Sequence, residues 1–147
     1  MNRTLKIVLI VAVSGLLLIA LAGVLVFRFV REHKDEWFAK GRDTLQEGIA
    51  AGADLDDAAC LRRAFEQYRQ GEAGIGGIGA RLWLKGCLRT AAPTAGFCRE
   101  VPAEEDITGS IAWQVSHCAA YGQVGQSACG GLLSEVQSYC GQRRSER

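Results

Sequence analysis

Apolar and polar positions divide this chain into three stretches of different character. Residues 7–27, IVLIVAVSGLLLIALAGVLVF, run without charge or proline between Lys6 and Arg28. At helical rise these 21 residues reach about 31 Å, the hydrocarbon thickness of a bilayer. The pattern predicts a transmembrane helix. From 28 to 53, Trp37, Phe38, Leu45 and Ile49 recur among charges at near-helical spacing. This predicts a stalk that continues the same helix as an amphipathic one, with Trp37 and Phe38 placed to rest at headgroup level or on the domain.

Beyond residue 54 the period shortens into separate amphipathic helices. About 55–70, Leu61, Ala64, Phe65 and Tyr68 share a side with Cys60, and Arg62, Arg63, Glu66 and Arg69 cover the other as a solvated face. About 79–91, Leu84, Cys87, Leu88 and Ala91 align. About 107–120 the apolar stripe is Ile107, Ile111, Val115, Cys118 and Ala119. About 127–140 it is Cys129, Leu132, Leu133, Val136, Tyr139 and Cys140. No stretch outside the apolar run alternates as a half-buried strand does.

End signals agree with this division. Asp54 is placed to cap the first of these helices, with Asp56 and Asp57 in its first turn, and Glu105 or Asp106 serves the N-terminus of the third. Ser127 opens the last helix and Gly141 closes it. The basic tail QRRSER is expected to fray.

Composition changes the picture mainly through cysteine. Charge is nearly balanced, 17 basic against 16 acidic residues, so no strong field recruits nucleic acid. All six cysteines, Cys60, Cys87, Cys98, Cys118, Cys129 and Cys140, lie beyond the apolar run. No C-x-x-C pair occurs, which argues against a zinc site, a thioredoxin-like motif and covalent haem. An even number of well-separated cysteines in a short domain reads as three disulfides formed in an oxidising compartment.

Spacing narrows the pairing. Cys118 and Cys129 lie symmetrically about the GQVG bend, so their bond would staple a helical hairpin. Cys129 and Cys140 have the same separation on one continuous helix, about 16 Å apart, beyond disulfide reach. The preferred completion is Cys87–Cys98, symmetric about Ala92-Pro93, with Cys60–Cys140. The alternative is Cys60–Cys87, symmetric about the GEAGIGG loop, with Cys98–Cys140. Only Cys118–Cys129 is common to both.

Other motifs carry less. Gly74, Gly76 and Gly79 satisfy G-x-G-x-x-G, but a charged helix precedes them where a dinucleotide fold needs a strand. They read as an interhelical turn, with Ile75 and Ile78 tucked into the core. His117 follows Trp113 by one helical turn and reads as a histidine stacked on tryptophan rather than a general base working on Ser116 or Ser110. Glu104, Glu105 and Asp106 lack calcium-loop spacing. Small residues in the apolar run, Gly15 and Gly23 among them, suggest pairing of spans, and hence a homo-oligomer.

The expectation is an all-α protein, an N-terminal transmembrane helix continuing into a stalk and then a small four-helix disulfide-stapled domain. Residues 1–6 are cytoplasmic, 7–27 the signal anchor, 28–53 the stalk, 54–142 the domain and 143–147 the tail. Cleavage after Ala20-Leu21-Ala22, removing residues 1–22 as a signal peptide, competes with this, but the apolar run continues past that point. Thirteen arginines against four lysines suggest a GC-rich genome, hence a single-pass bacterial inner-membrane protein with its domain in the periplasm. The expected role is a structural or interaction subunit of an envelope assembly, not an enzyme, with the membrane and an envelope protein as partners. No metal or cofactor is expected. A lipid or apolar-ligand binding module is the alternative, and an enzyme using His117 a remoter one.

Overall fold

The computed structural model describes residues 3–71, 77–123 and 127–146. Five helices order the chain: α1 (Arg3–Gly52), α2 (Asp57–Arg69), α3 (Ile78–Thr90), α4 (Ile107–Ala120) and α5 (Ser127–Ser145). Among the described residues there is no strand, only an isolated parallel bridge between Asp56 and Ala92. The protein is all-α. From Val11 onward α1 contains a stretch long and apolar enough to cross a membrane, with side chains such as Leu17, Ile19 and Phe27 exposed. The chain forms two units, residues 1–40 and residues 41–147.

The second unit is built round α5. The strongest packing joins α2 to α3, and α5 packs against α3, α2 and α4. Leu61, Ala64 and Phe65 of α2 meet Trp83, Leu84 and Leu88 of α3 and Leu132, Leu133 and Val136 of α5 in one buried cluster. Burying side chains of this size contributes roughly 1.5–3 kcal/mol each, which a domain this small needs. The last turns of α1 join this unit by close backbone approach. Gly48 and Gly52 are buried against the carbonyls of Trp83 and Cys87, and Gly86 against that of Leu45. The Thr90 hydroxyl donates to the Ile49 carbonyl at 2.7 Å across the same crossing.

Three disulfides tie the unit together: Cys60–Cys87, Cys98–Cys140 and Cys118–Cys129, with Cα separations of 5.9, 5.4 and 5.9 Å. The preferred sequence map, Cys87–Cys98 with Cys60–Cys140, is therefore corrected to its alternative. The reason lies in residues 91–94. Instead of turning back along α3, they run onto the start of α2. The Ala92 N–H donates to the Leu55 carbonyl at 2.9 Å, and the Asp57 N–H donates to the Ala92 carbonyl at 3.0 Å. The buried Asp57 carboxylate accepts from the N–H groups of Thr94 and Ala58 at 3.0 and 2.9 Å. This latch carries the chain away from α3, so Cys98 meets the end of α5.

Some element ends meet expectation, as the Asp106 cap of α4 does, and others differ. Asp56, not Asp54, caps α2, accepting from the Ala59 N–H at 2.6 Å. Asp106 caps α4, accepting from the Gly109 N–H at 2.9 Å. Helix α5 continues through Gly141 to Ser145. The tail does not fray at Arg144, which donates to the carbonyls of Val101 and Pro102 at 3.0 and 3.3 Å, or at Arg143, whose guanidinium lies 5.5 Å from the Tyr139 ring centre. Ser127 is the first residue of α5, but its side chain, and with it the expected cap, is not described, and Gly74, Ile75 and Gly76 lie outside the described residues. Ile78 is 60% exposed rather than tucked into the core.

The largest departure is the rotation of α4. Ile107, Ile111 and Val115, expected to face the core, are 71%, 59% and 63% exposed. The inward face is Ser110, Trp113, Gln114, His117 and Cys118, all buried or half-buried. Two polar and covalent ties set this rotation. The buried Gln137 amide of α5 donates to Ser110 Oγ at 2.5 Å and to the Ala103 carbonyl at 3.0 Å, and Cys118 is bonded to Cys129. A satisfied buried amide and a covalent bond outweigh the burial of an aliphatic stripe on a helix with only one main neighbour.

Candidate functional site

The inward face of α4 lines a groove. Trp113, His117 and Tyr121 recur one helical turn apart and form one wall, Ala58, Leu61 and Arg62 of α2 the other. Val136 of α5 and Val101 lie at the floor, and Gly96, Phe97, Arg99 and Glu100 from the connection before α4 line one side. The groove encloses about 480 Å³, within the usual range for small-molecule sites. It exists because α4 packs chiefly on α5 and leaves a gap to α2. Phe65 and Tyr121 bridge that gap at one place, their rings stacked at 3.9 Å between centres.

The polar groups of the groove are unequal in their demands. The Trp113 indole N–H is buried and meets no protein acceptor. His117 packs on Trp113, ring centres 4.8 Å apart, and its Nδ1 lies 2.9 Å from the Trp113 carbonyl. A carbonyl can only accept, so Nδ1 carries the proton. Ser116 Oγ also donates to the Trp113 carbonyl, at 2.9 Å. The protonated Nδ1, 3.3 Å from Ser116 Oγ, therefore has no lone pair with which to take the serine proton. Burial pushes the Tyr121 phenol above its usual range, and the nearby Arg62 charge pulls it partly back. Arg99 folds over Gly96, whose backbone takes a left-handed φ of +86°.

The structure brings Trp113 and His117 together with their rings tilted at 43° rather than stacked, and leaves Glu104 and Glu105 exposed beside the Asp106 cap. Among the described residues no group of three or more His, Cys, Asp or Glu side chains gathers as metal ligands would. Sequence reasoning assigned Arg62 to solvent and passed over Phe97, Arg99 and Tyr121. The available signal was the Trp113, His117, Tyr121 stripe, spaced four by four. The outward face of α4 is the second feature. No Asp, Glu, Lys or Arg occurs between Asp106 and Glu135, so this exposed helix presents Ile107, Ile111, Ala112, Val115 and Ala119 without a charge among them.

No protein family matches this chain, no curated protein matches it, and no solved structure matches it.

Proposed function

We propose that this protein is a membrane-anchored interaction subunit of a cell-envelope assembly. In this reading residues 7–27 span the inner membrane, the N-terminus is cytoplasmic, and the disulfide-bonded domain lies in the periplasm. Three disulfides in so short a domain favour the oxidising side of the membrane. The observation that carries the functional reading is the outward face of α4, where Ile107, Ile111 and Val115 lie in a row with no charge. Aliphatic side chains exposed together in one uncharged row mark an interaction surface.

The occupant is an envelope protein rather than lipid. Helices that lie on a bilayer carry lysine and arginine on their polar face, and α4 has neither. It instead begins beside the exposed Glu104 and Glu105, which an anionic leaflet would repel. The complementary partner surface is apolar with a basic group at one end.

A photo-cross-linking residue at position 111, compared with one at the solvent-facing Arg63, tests this in intact membranes. The expected result is a single protein adduct from position 111 alone. Charge reversal of Glu104 and Glu105 should weaken it, and the opposite reversal in the cross-linked partner peptide should restore it. Adducts with lipid only, or only with a second copy of this chain, would overturn the reading.

A further inference from the structure

We infer that the groove between α2 and α4 binds an anionic amphiphile, a molecule with an apolar body and a single carboxylate or phosphate head. This site is separate from the outward face of α4 and does not depend on it. Its walls offer an apolar body aromatic and aliphatic contact, from Trp113, Phe97, Leu61 and Val136. Its charge is biased for an anion, since the exposed Arg62 and Arg99 stand at the groove against a single acid, Glu100.

The strongest indication is the Trp113 indole. Its N–H is removed from water yet bonded to nothing in the protein, an arrangement native interiors rarely tolerate. The nitrogen is sealed in the present arrangement, so the indole must turn to present it to the groove. An acceptor oxygen there would satisfy the donor. Arginine guanidiniums complete the recognition of such a head, because planar N–H forks match carboxylate and phosphate oxygens. The neutral end of the ligand then lies against Leu61 in the α2 wall and Val136 at the floor.

Three tryptophans, Trp37, Trp83 and Trp113, give three indole N–H resonances with which to test this. The full chain, labelled with nitrogen-15 tryptophan in phosphocholine nanodiscs, is titrated with decanoate, dodecyl phosphate and decanol. Trp113→Phe assigns the resonance. The expected result is a saturable shift of Trp113 with at least one anionic probe, while Trp37, in the first unit, reports any general partitioning into the disc. Decanoate and dodecyl phosphate distinguish a carboxylate head from a phosphate head. Arg62→Gln with Arg99→Gln should weaken binding by at least about tenfold, the loss of a single charge-assisted bond. A Trp113 shift that decanol reproduces, one that survives the double substitution unchanged, or no shift with either anion would overturn the inference.

Discussion

Gly48 of α1 and Gly86 of α3 meet where their helices cross so closely that a Cβ on either would enter the other's backbone. The carbonyls of Trp83 and Leu45 stand in the two positions. Neither atom belongs to a movable side chain, so relief requires the helices to separate. Gly86→Ala should therefore destabilise the domain by more than about 2 kcal/mol despite the better helix propensity of alanine. Gly141 offers the contrast, being helical with open space where a Cβ would stand. Gly141→Ala should be neutral or stabilising by up to about 1 kcal/mol. Thermal unfolding of both variants in the same detergent checks the pair.

The disulfides should rank by the loops they close. Cys98–Cys140 spans 42 residues and Cys118–Cys129 spans 11. Chain entropy gives about 4 kcal/mol for the first and about 3 kcal/mol for the second. Paired alanine substitutions followed by denaturant unfolding should show that order. Non-reducing peptide mapping should recover Cys60 with Cys87. A Cys87–Cys98 peptide would contradict the latch at Asp57.

That latch should itself be costly to remove. Asp57 is buried and accepts from the Ala58 N–H in α2 and from the Thr94 N–H in the connection after α3, and the second bond joins the two. Asp57→Ala strands the Thr94 N–H and should cost about 1–3 kcal/mol. A midpoint shift in urea without a change in slope is the expected reading.

Tyr121 should make stability fall in strong alkali. Its folded phenol titrates above the ordinary value of 10.0 because burial disfavours the phenolate, against a smaller opposing effect of Arg62. The unfolded chain thus loses its proton first as pH rises. The contribution is fully present below pH 10 and lost as pH climbs through the folded pKa. Tyr121→Phe should remove this slope, seen by comparing unfolding midpoints at pH 9 and at pH 11.

The outward face of α4 and the buried face of α5 should respond differently to substitution. Ile111→Asn changes an exposed side chain and should move stability by no more than about 0.5 kcal/mol. Leu133→Ala opens a cavity at a fully buried position and should cost about 2–5 kcal/mol. Equal losses from both would place Ile111 in the core.

Much of this architecture was legible from residue order alone. The unbroken apolar run, the 3.6-residue period of each later segment and the Asp106 cap are local properties, and local chemistry decides them. The Cys118–Cys129 symmetry was legible for the same reason, because only a short bend intervenes. The groove was not legible. Its walls come from α2, α4 and the connection between α3 and α4, and the arginine at its edge, Arg62, has the helical position of an ordinary surface charge.

What residue order determined by itself is therefore the set of helices, their amphipathic stripes and the presence of cysteines to join them. Only tertiary structure decided which stripe of α4 turned inward, which cysteine Cys98 would meet, and how closely α1 would approach α3. Those outcomes depend on partners distant in sequence, the Gln137 amide, the Asp57 latch and the Gly48–Gly86 crossing. A helix with two usable faces has no internal reason to choose between them until a buried hydrogen bond or a covalent link makes one orientation lower in free energy.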